Sequence, residues 1–335
     1  MNYRRLSASR PPPFFELWVH VSLKRMDARQ PFDLSPRLMT RLRHYVESML
    51  LAEQLPPIPE YLTMLINDFA QLVTLSRTGK PILYKKRNTL SLLFDVFSVQ
   101  SEMQLDCPDE LVLGYTQSMM GFLLFQPTPQ EIGMIGLGGG SLAKFCYRHL
   151  PDATITVAEI DPQVIVLRDW FHIPANDARL QVHCMDGAEL VRQGQSRFDV
   201  LVIDGFDRDG QPEQLCSQDF YDDCYRAMAP GGIMVVNLLA DELETDHYVD
   251  RIRRSFDEAV VVIDAPGSLN KIAFACKGDA LKIDERTLQD RVEQLAAQYP
   301  IMLNTTAQSI LQQRRTALPP AQISAQEDET VQDRT

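Results

Sequence analysis

The 335-residue chain lacks most of the features that would assign it at a glance. Its six cysteines (Cys107, Cys146, Cys184, Cys216, Cys224 and Cys276) include no C-x-x-C pair, which excludes a zinc ribbon or a dithiol redox motif. Spread mostly through apolar segments, they fit free thiols in a reducing compartment, so a cytoplasmic protein is expected. None of the six histidines (His20, His44, His149, His172, His183 and His247) stands at metal-ligand spacing from another, and no metal is expected. Positive charge is in deficit as well. Lys and Arg number 33 against 45 Asp and Glu, a formal net charge of −12. A nucleic-acid partner would call for a basic face, so none is expected. No apolar run reaches the roughly 20 residues of a membrane span, so no membrane partner is expected. The stretch MNYRRLSASRPPPFFELWVHV is interrupted by charge and proline and does not read as a signal peptide. Internal repeats are absent.

Glycine is scarce too, 16 residues in all, which makes its placement informative. Gly136, Gly138, Gly139 and Gly140 crowd into IGLGGGSLAKF with Leu137 as the one interruption. Such crowding means that the backbone turns sharply or that something must come close to it. EIGMIGL, just before, reads as a buried strand. SLAKFCYRHL, just after, places Leu142, Phe145, Cys146 and Leu150 at helical spacing and stops at Pro151. The glycines therefore mark a strand-to-helix turn, where helix N–H groups and the helix dipole can meet a polar ligand. Taken alone, a tight turn without a ligand would read the same.

The alternation continues. ATITVAEIDPQVIV gives a second strand ending in Glu159-Ile160-Asp161. Glu159 falls roughly twenty residues past the glycines, where a nucleotide-binding sheet places the acid that holds ribose hydroxyls. LQVHCMDGAELV adds a third strand followed by Asp186-Gly187, and RFDVLVIDGFDRDG a fourth ending in Asp204, with Asp207 beyond. APGGIMVVNLL supplies a fifth, and AVVVID with KIAFACK a closing hairpin. The expected fold is α/β: a doubly wound, mostly parallel, seven-stranded Rossmann-like sheet. Ligands bind such sheets at the carboxyl ends of the strands, where Glu159, Asp186, Asp204 and Asp207 all fall. G-x-G-G-G departs from the G-x-G-x-x-G of dinucleotide enzymes, which makes NAD the weaker reading.

A terminal hairpin that inserts an antiparallel strand resembles the class I AdoMet-dependent transferase fold. From about Leu92 to Lys277 the chain resembles the spermidine synthase (polyamine aminopropyltransferase) family. MIGLGGGSL is similar to that family's donor loop, EID to its ribose-binding acid, and MDGAEL to its GDG segment near the adenine. VIDGFDRDGQPEQLCSQDFY resembles its catalytic stretch and gating loop. LLFDVFSVQSEMQLDCPDELVLGYTQSMM resembles the small β region that leads into its first core helix, with Gln100 and Tyr115 at the substrate-contacting glutamine and tyrosine. The resemblance implies a small amine acceptor and a donor that is decarboxylated AdoMet or AdoMet. Gly136, Gly138, Gly139, Gly140, Glu159, Ile160, Asp186 and Gly187 would line the donor. Asp204 would accept the amine's proton, with Asp207 holding charge or forming part of the gate. No metal is implied.

Two departures qualify this. The aspartate within the family's loop, which helps hold the donor's ammonium, aligns with Gly139, and Phe122 or a neighbour stands for a histidine. Losing the acid weakens the case for the decarboxylated donor, so an AdoMet-dependent methyltransferase stays open, as does an inactive ligand-binding or scaffold protein of this fold. The expected organisation is a helical extension over 1–79 and a small β region with the first core helix over 80–125. The catalytic domain follows over 126–280, then helices over 281–316 and a disordered polar tail over 317–335. The extension could cover the core, shape the acceptor pocket or pair subunits into a homodimer.

Overall fold

The computed structural model describes residues 80–94, 99–207, 210–239 and 244–317. The expected N-terminal extension lies outside the described residues, as does the polar tail apart from Ala317.

The described chain opens with three short strands, β1 (Ile82–Lys86), β2 (Thr89–Leu93) and β3 (Val99–Gln104), paired antiparallel in that order. A short helix, α1 (Gly114–Met119), and a 3₁₀ turn (Met120–Leu124) follow. Phe122, in that turn, is fully buried. The main sheet takes β4 (Glu131–Ile135), β5 (Thr154–Glu159), β6 (Leu180–Cys184), β7 (Phe198–Ile203) and β8 (Met228–Leu239). It ends with β9 (Val260–Asp264) and β10 (Asn270–Cys276). Their order is β6-β5-β4-β7-β8-β10-β9. The first five run parallel, while β10 lies antiparallel between β8 and β9. The expected seven-stranded sheet and its inserted antiparallel strand are both present.

The apolar runs explain why the sheet is covered on both faces. In β8, Ile233 and Val235 enter one core, and Met234, Val236 and Leu238 enter the other, as a two-residue period requires. Parallel strands need crossovers, and these are α2 (Ser141–His149), α3 (Pro162–Val166), α4 (Gly187–Gln193) and α5 (Gln218–Ala227). Their starts are set locally. Asp161, Asp186 and Ser217 each accept a backbone N–H two or three residues on, and Pro162 opens α3. Further along come α6 (Thr245–Ser255), α7 (Glu285–Ala296) and α8 (Leu303–Ala317). Four cysteines are buried thiols, Cys107 is half-buried and Cys184 is exposed. Among the described residues no helix is long and apolar enough to cross a membrane.

Candidate active site

The strand order reverses between β4 and β7, and the chain leaves both strands at the same crevice. That is where open α/β sheets bind ligands. The glycine turn leaves β4 and Asp204 leaves β7, and the two touch. Gly136 has φ +92°, and a Cβ there would lie 2.2 Å from the Asp204 carbonyl oxygen. The Asp204 N–H donates to the Ile135 carbonyl at 2.9 Å. The first glycine of the motif is thus what lets the acid's backbone pack against the loop.

Four N–H groups of the loop are spent within the protein. Gly136 donates to the Ala158 carbonyl, Leu137 to Glu159 Oε2, Gly139 to Ser101 Oγ and Gly140 to the Leu137 carbonyl, all within 2.8–2.9 Å. These donors hold the turn together and are already committed. What the glycines offer a ligand is close approach. Glu159 itself is buried, and its Oε1 accepts the Asp161 N–H at 2.9 Å. Both its oxygens hold backbone at the mouth of the crevice, and each keeps lone pairs for a further donor.

Asp204 sits in a compact network. Its Oδ2 accepts from the Tyr115 hydroxyl at 3.3 Å, and that hydroxyl also reaches the Gln100 carbonyl at 3.4 Å. Its Oδ1 accepts from Asn237 Nδ2 at 2.8 Å, and Asn237 Oδ1 accepts from Asn270 Nδ2 at 2.8 Å. Burial pushes the carboxyl up to about 6, against the pull of the Asn237 and Tyr115 hydrogen bonds. Burial, and then the charge of Asp204, hold the Tyr115 phenol well above its ordinary value. A carboxylate near neutrality beside a proton-donating hydroxyl is suited to proton transfer.

The remaining expected residues follow the carboxyl ends of β5, β6 and β7. Asp186 caps α4, accepting the Ala188 N–H at 2.8 Å, and a Cβ at Gly187 would lie 2.3 Å from the Ile135 side chain. Ile160 is exposed beside Glu159. Asp207 is exposed too, and its N–H donates to the Gly210 carbonyl at 2.9 Å. The structure does not bring its carboxylate into hydrogen bonding with Asp204. Among the described residues no three His, Cys, Asp or Glu side chains gather as a metal site would need.

Three contributors escape sequence reasoning. Asn237 and Asn270 are two. The third is Ser101, which meets the glycine loop from β3, behind which stands Lys144. That buried ammonium donates to the carbonyls of Pro108 (2.5 Å) and Phe171 (2.8 Å), and burial lowers it to about 8. It fixes a wall in which a Cβ at Gly139 would lie 2.9 Å from both the Phe171 ring and the Ser101 Cβ. Gly139 has no positive φ, so the obstacle to a side chain is space alone. Gly139→Asp should therefore cost about 1–3 kcal/mol of stability by overpacking, and Ser101→Gly in the same chain should recover part of it. Thermal melting checks both. A single variant that melts like the wild type would show that the wall yields freely.

The spermine/spermidine synthase domain family matches residues 113–266. The polyamine aminopropyltransferase of Chromobacterium violaceum is 34% identical over 213 residues, covering 63% of this chain and 82% of the relative. The chain belongs to the spermine/spermidine synthase family. Another member of it, the polyamine aminopropyltransferase of Neisseria meningitidis, is 35% identical over 216 residues, covering 63% and 81%. The fold agrees with solved relatives. A spermidine synthase crystallised with the transition-state analogue AdoDATO matches with a TM-score of 0.52 at 21% identity, covering 72% of this chain and 86% of that one. A probable spermidine synthase from Corynebacterium glutamicum gives 0.53 at 18%, covering 63% and 83%.

Proposed function

We propose that this chain transfers an aminopropyl group from decarboxylated AdoMet to a small amine, a step of polyamine biosynthesis. The observation that supports this reading best is the meeting of Asp204, Tyr115 and the glycine loop at the switch point of the sheet. In this reading Gly136, Gly138, Gly139 and Gly140 let the donor lie against backbone. Glu159 and Ile160 hold its ribose end, and Asp186 and Gly187 flank its base. Gln100 and Tyr115 face the acceptor, with Asp207 at the outer edge.

The chemistry balances without a covalent enzyme intermediate. The acceptor arrives as an ammonium, which has no lone pair to attack with, and gives one proton to the Asp204 carboxylate. The freed amine forms a new N–C bond to the donor's aminopropyl carbon. The C–S bond breaks, its electron pair stays on sulfur, and neutral methylthioadenosine leaves. Holding amine and carbon in line accounts for much of the acceleration, so no nucleophilic Ser or Cys is required.

The test is product analysis with decarboxylated AdoMet and AdoMet offered in parallel with a set of diamines. Methylthioadenosine together with an aminopropylated amine is the expected result. S-adenosylhomocysteine together with a methylated amine would replace this reading with a methyltransferase, for which the neutral corner at Gly139 and Ser101 leaves room. Calorimetric titration with both donors and methylthioadenosine addresses the scaffold alternative, since absence of binding to any of them would sink the enzyme reading.

A pH dependence follows from the burial of Asp204. It must be ionised to accept a proton, and its folded value is about 6. The kcat/KM should therefore be lost as pH falls through about 6, tenfold per pH unit below it. The limb should vanish in Asp204→Asn. A flat profile between pH 5 and 7.5 would overturn the assignment of Asp204 as the proton acceptor.

A further inference from the structure

The amide chain behind Asp204 has a direction. Asn270 opens β10 opposite Leu239, and Asn237 on β8 lies opposite Ile272, so the two asparagines are diagonal neighbours on one face of the sheet. Asn237 is 2% exposed. Turning its amide over would set its oxygen against Asp204 Oδ1 and its NH₂ against the NH₂ of Asn270, leaving both contacts repulsive. With Asn270 donating to its oxygen and Asp204 ionised, the amide only donates toward Asp204.

We propose that Asn270 and Asn237 form a one-way relay that reserves Oδ2 of Asp204 for the proton leaving the acceptor amine. The proposal rests on the reading of Asp204 as that proton's acceptor. A proton on Oδ1 would point into the Asn237 N–H, which reverses only if Asn270 turns its amide as well. A proton on Oδ2 meets the Tyr115 hydroxyl, which is free to rotate its own hydrogen to the Gln100 carbonyl 3.4 Å away and accept instead. The carboxyl therefore has one fixed oxygen and one adaptable one, and the adaptable one faces Tyr115. Asn237 and Asn270 act through Asp204 and are positioning residues.

The charged surroundings are simple. Among the described residues Tyr115 is the titratable group in contact with Asp204, and burial with two hydrogen bonds accounts for its shifted titration. Lys271, next along β10, is paired with Asp264 on β9 at 3.6 Å.

Asn270→Asp tests the relay, because a carboxylate cannot donate to Asn237 and would draw that amide round, turning its oxygen toward Asp204. The ¹³C titration of the Asp204 carboxyl, assigned by its loss in Asp204→Asn, should move up by about one pH unit or more. The acid limb of kcat/KM should follow it, while the Kd for methylthioadenosine stays within about twofold. Asn270→Leu removes the orienting donor without adding charge and should move both in the same direction by less; it also serves if the Asp variant fails to fold. An unmoved carboxyl titration in a folded variant overturns the relay. A carboxyl titration that moves while the rate profile does not follow removes Asp204 as the proton acceptor, and this proposal with it.

Discussion

Asp204→Asn is expected to lower turnover by about 10²–10⁴-fold while leaving the Kd for methylthioadenosine nearly unchanged. The substitution keeps the shape of the side chain and the contact with Asn237, because an amide oxygen can still accept from Nδ2. It removes the capacity to take a proton. A stability measurement separates this from structural damage. The carboxyl's folded value of about 6 lies above its ordinary 3.8. Its stabilising contribution is therefore present below pH 3.8 and lost as pH rises through about 6. At pH 7.5 the buried carboxylate thus costs the fold about 3 kcal/mol, from roughly two pKa units at 1.36 kcal/mol each. The neutral variant should melt at the same temperature or higher while turning over far more slowly. Loss of turnover together with a lower Tm and weaker donor binding would make Asp204 a structural residue.

Glu159→Gln should weaken methylthioadenosine binding about 10- to 150-fold, or about 1.5–3 kcal/mol. The carboxylate accepts backbone N–H groups on both oxygens, from Leu137 within the glycine turn and from Asp161 at the head of α3. Glutamine has one acceptor oxygen. Its NH₂ must face one of those N–H groups, leaving a buried donor opposed by another donor. The turn then loses a fastening and, on the proposed role of Glu159, the ribose of the ligand loses a charged acceptor. Calorimetric titration with methylthioadenosine measures the sum. An unchanged Kd would mean that Glu159 only buckles the turn.

Sequence reasoning reached those parts of the site whose chemistry is local. Glycines flanked by an apolar strand and an amphipathic helix mark their own turn, and acids at the ends of apolar runs mark the carboxyl edge of a sheet. Contacts made through space were not legible. Ser101 meets Gly139 across 38 positions, and Asn237 meets both Asp204 and Asn270 across 33. The sequence patterns indicated strands and the closing hairpin, but not which side chains would meet across them. Asn237 did carry a faint signal, since an amide inside IMVVNLL must find partners if that strand is buried on both faces. The same limit applies to the glycine loop. Crowded glycines announce close approach, but whether their N–H groups face a ligand or the protein depends on Glu159 and Ser101 arriving from other strands.

The place of β10 sets an order on how the protein comes into being. During synthesis the strand carrying Asp204 emerges well before Asn270, and the hydrogen-bonding edge of β8 stays open until residues 270–276 are available to fill it. An open edge rich in Ile, Val and Leu is a template for pairing with another chain. The last of the described strands to be made therefore closes that edge and brings Asn270 to Asn237, the partner of Asp204, in the same event. A nascent chain that has not yet closed the sheet carries Asp204 and Asn237 without the Asn270 amide that donates to Asn237.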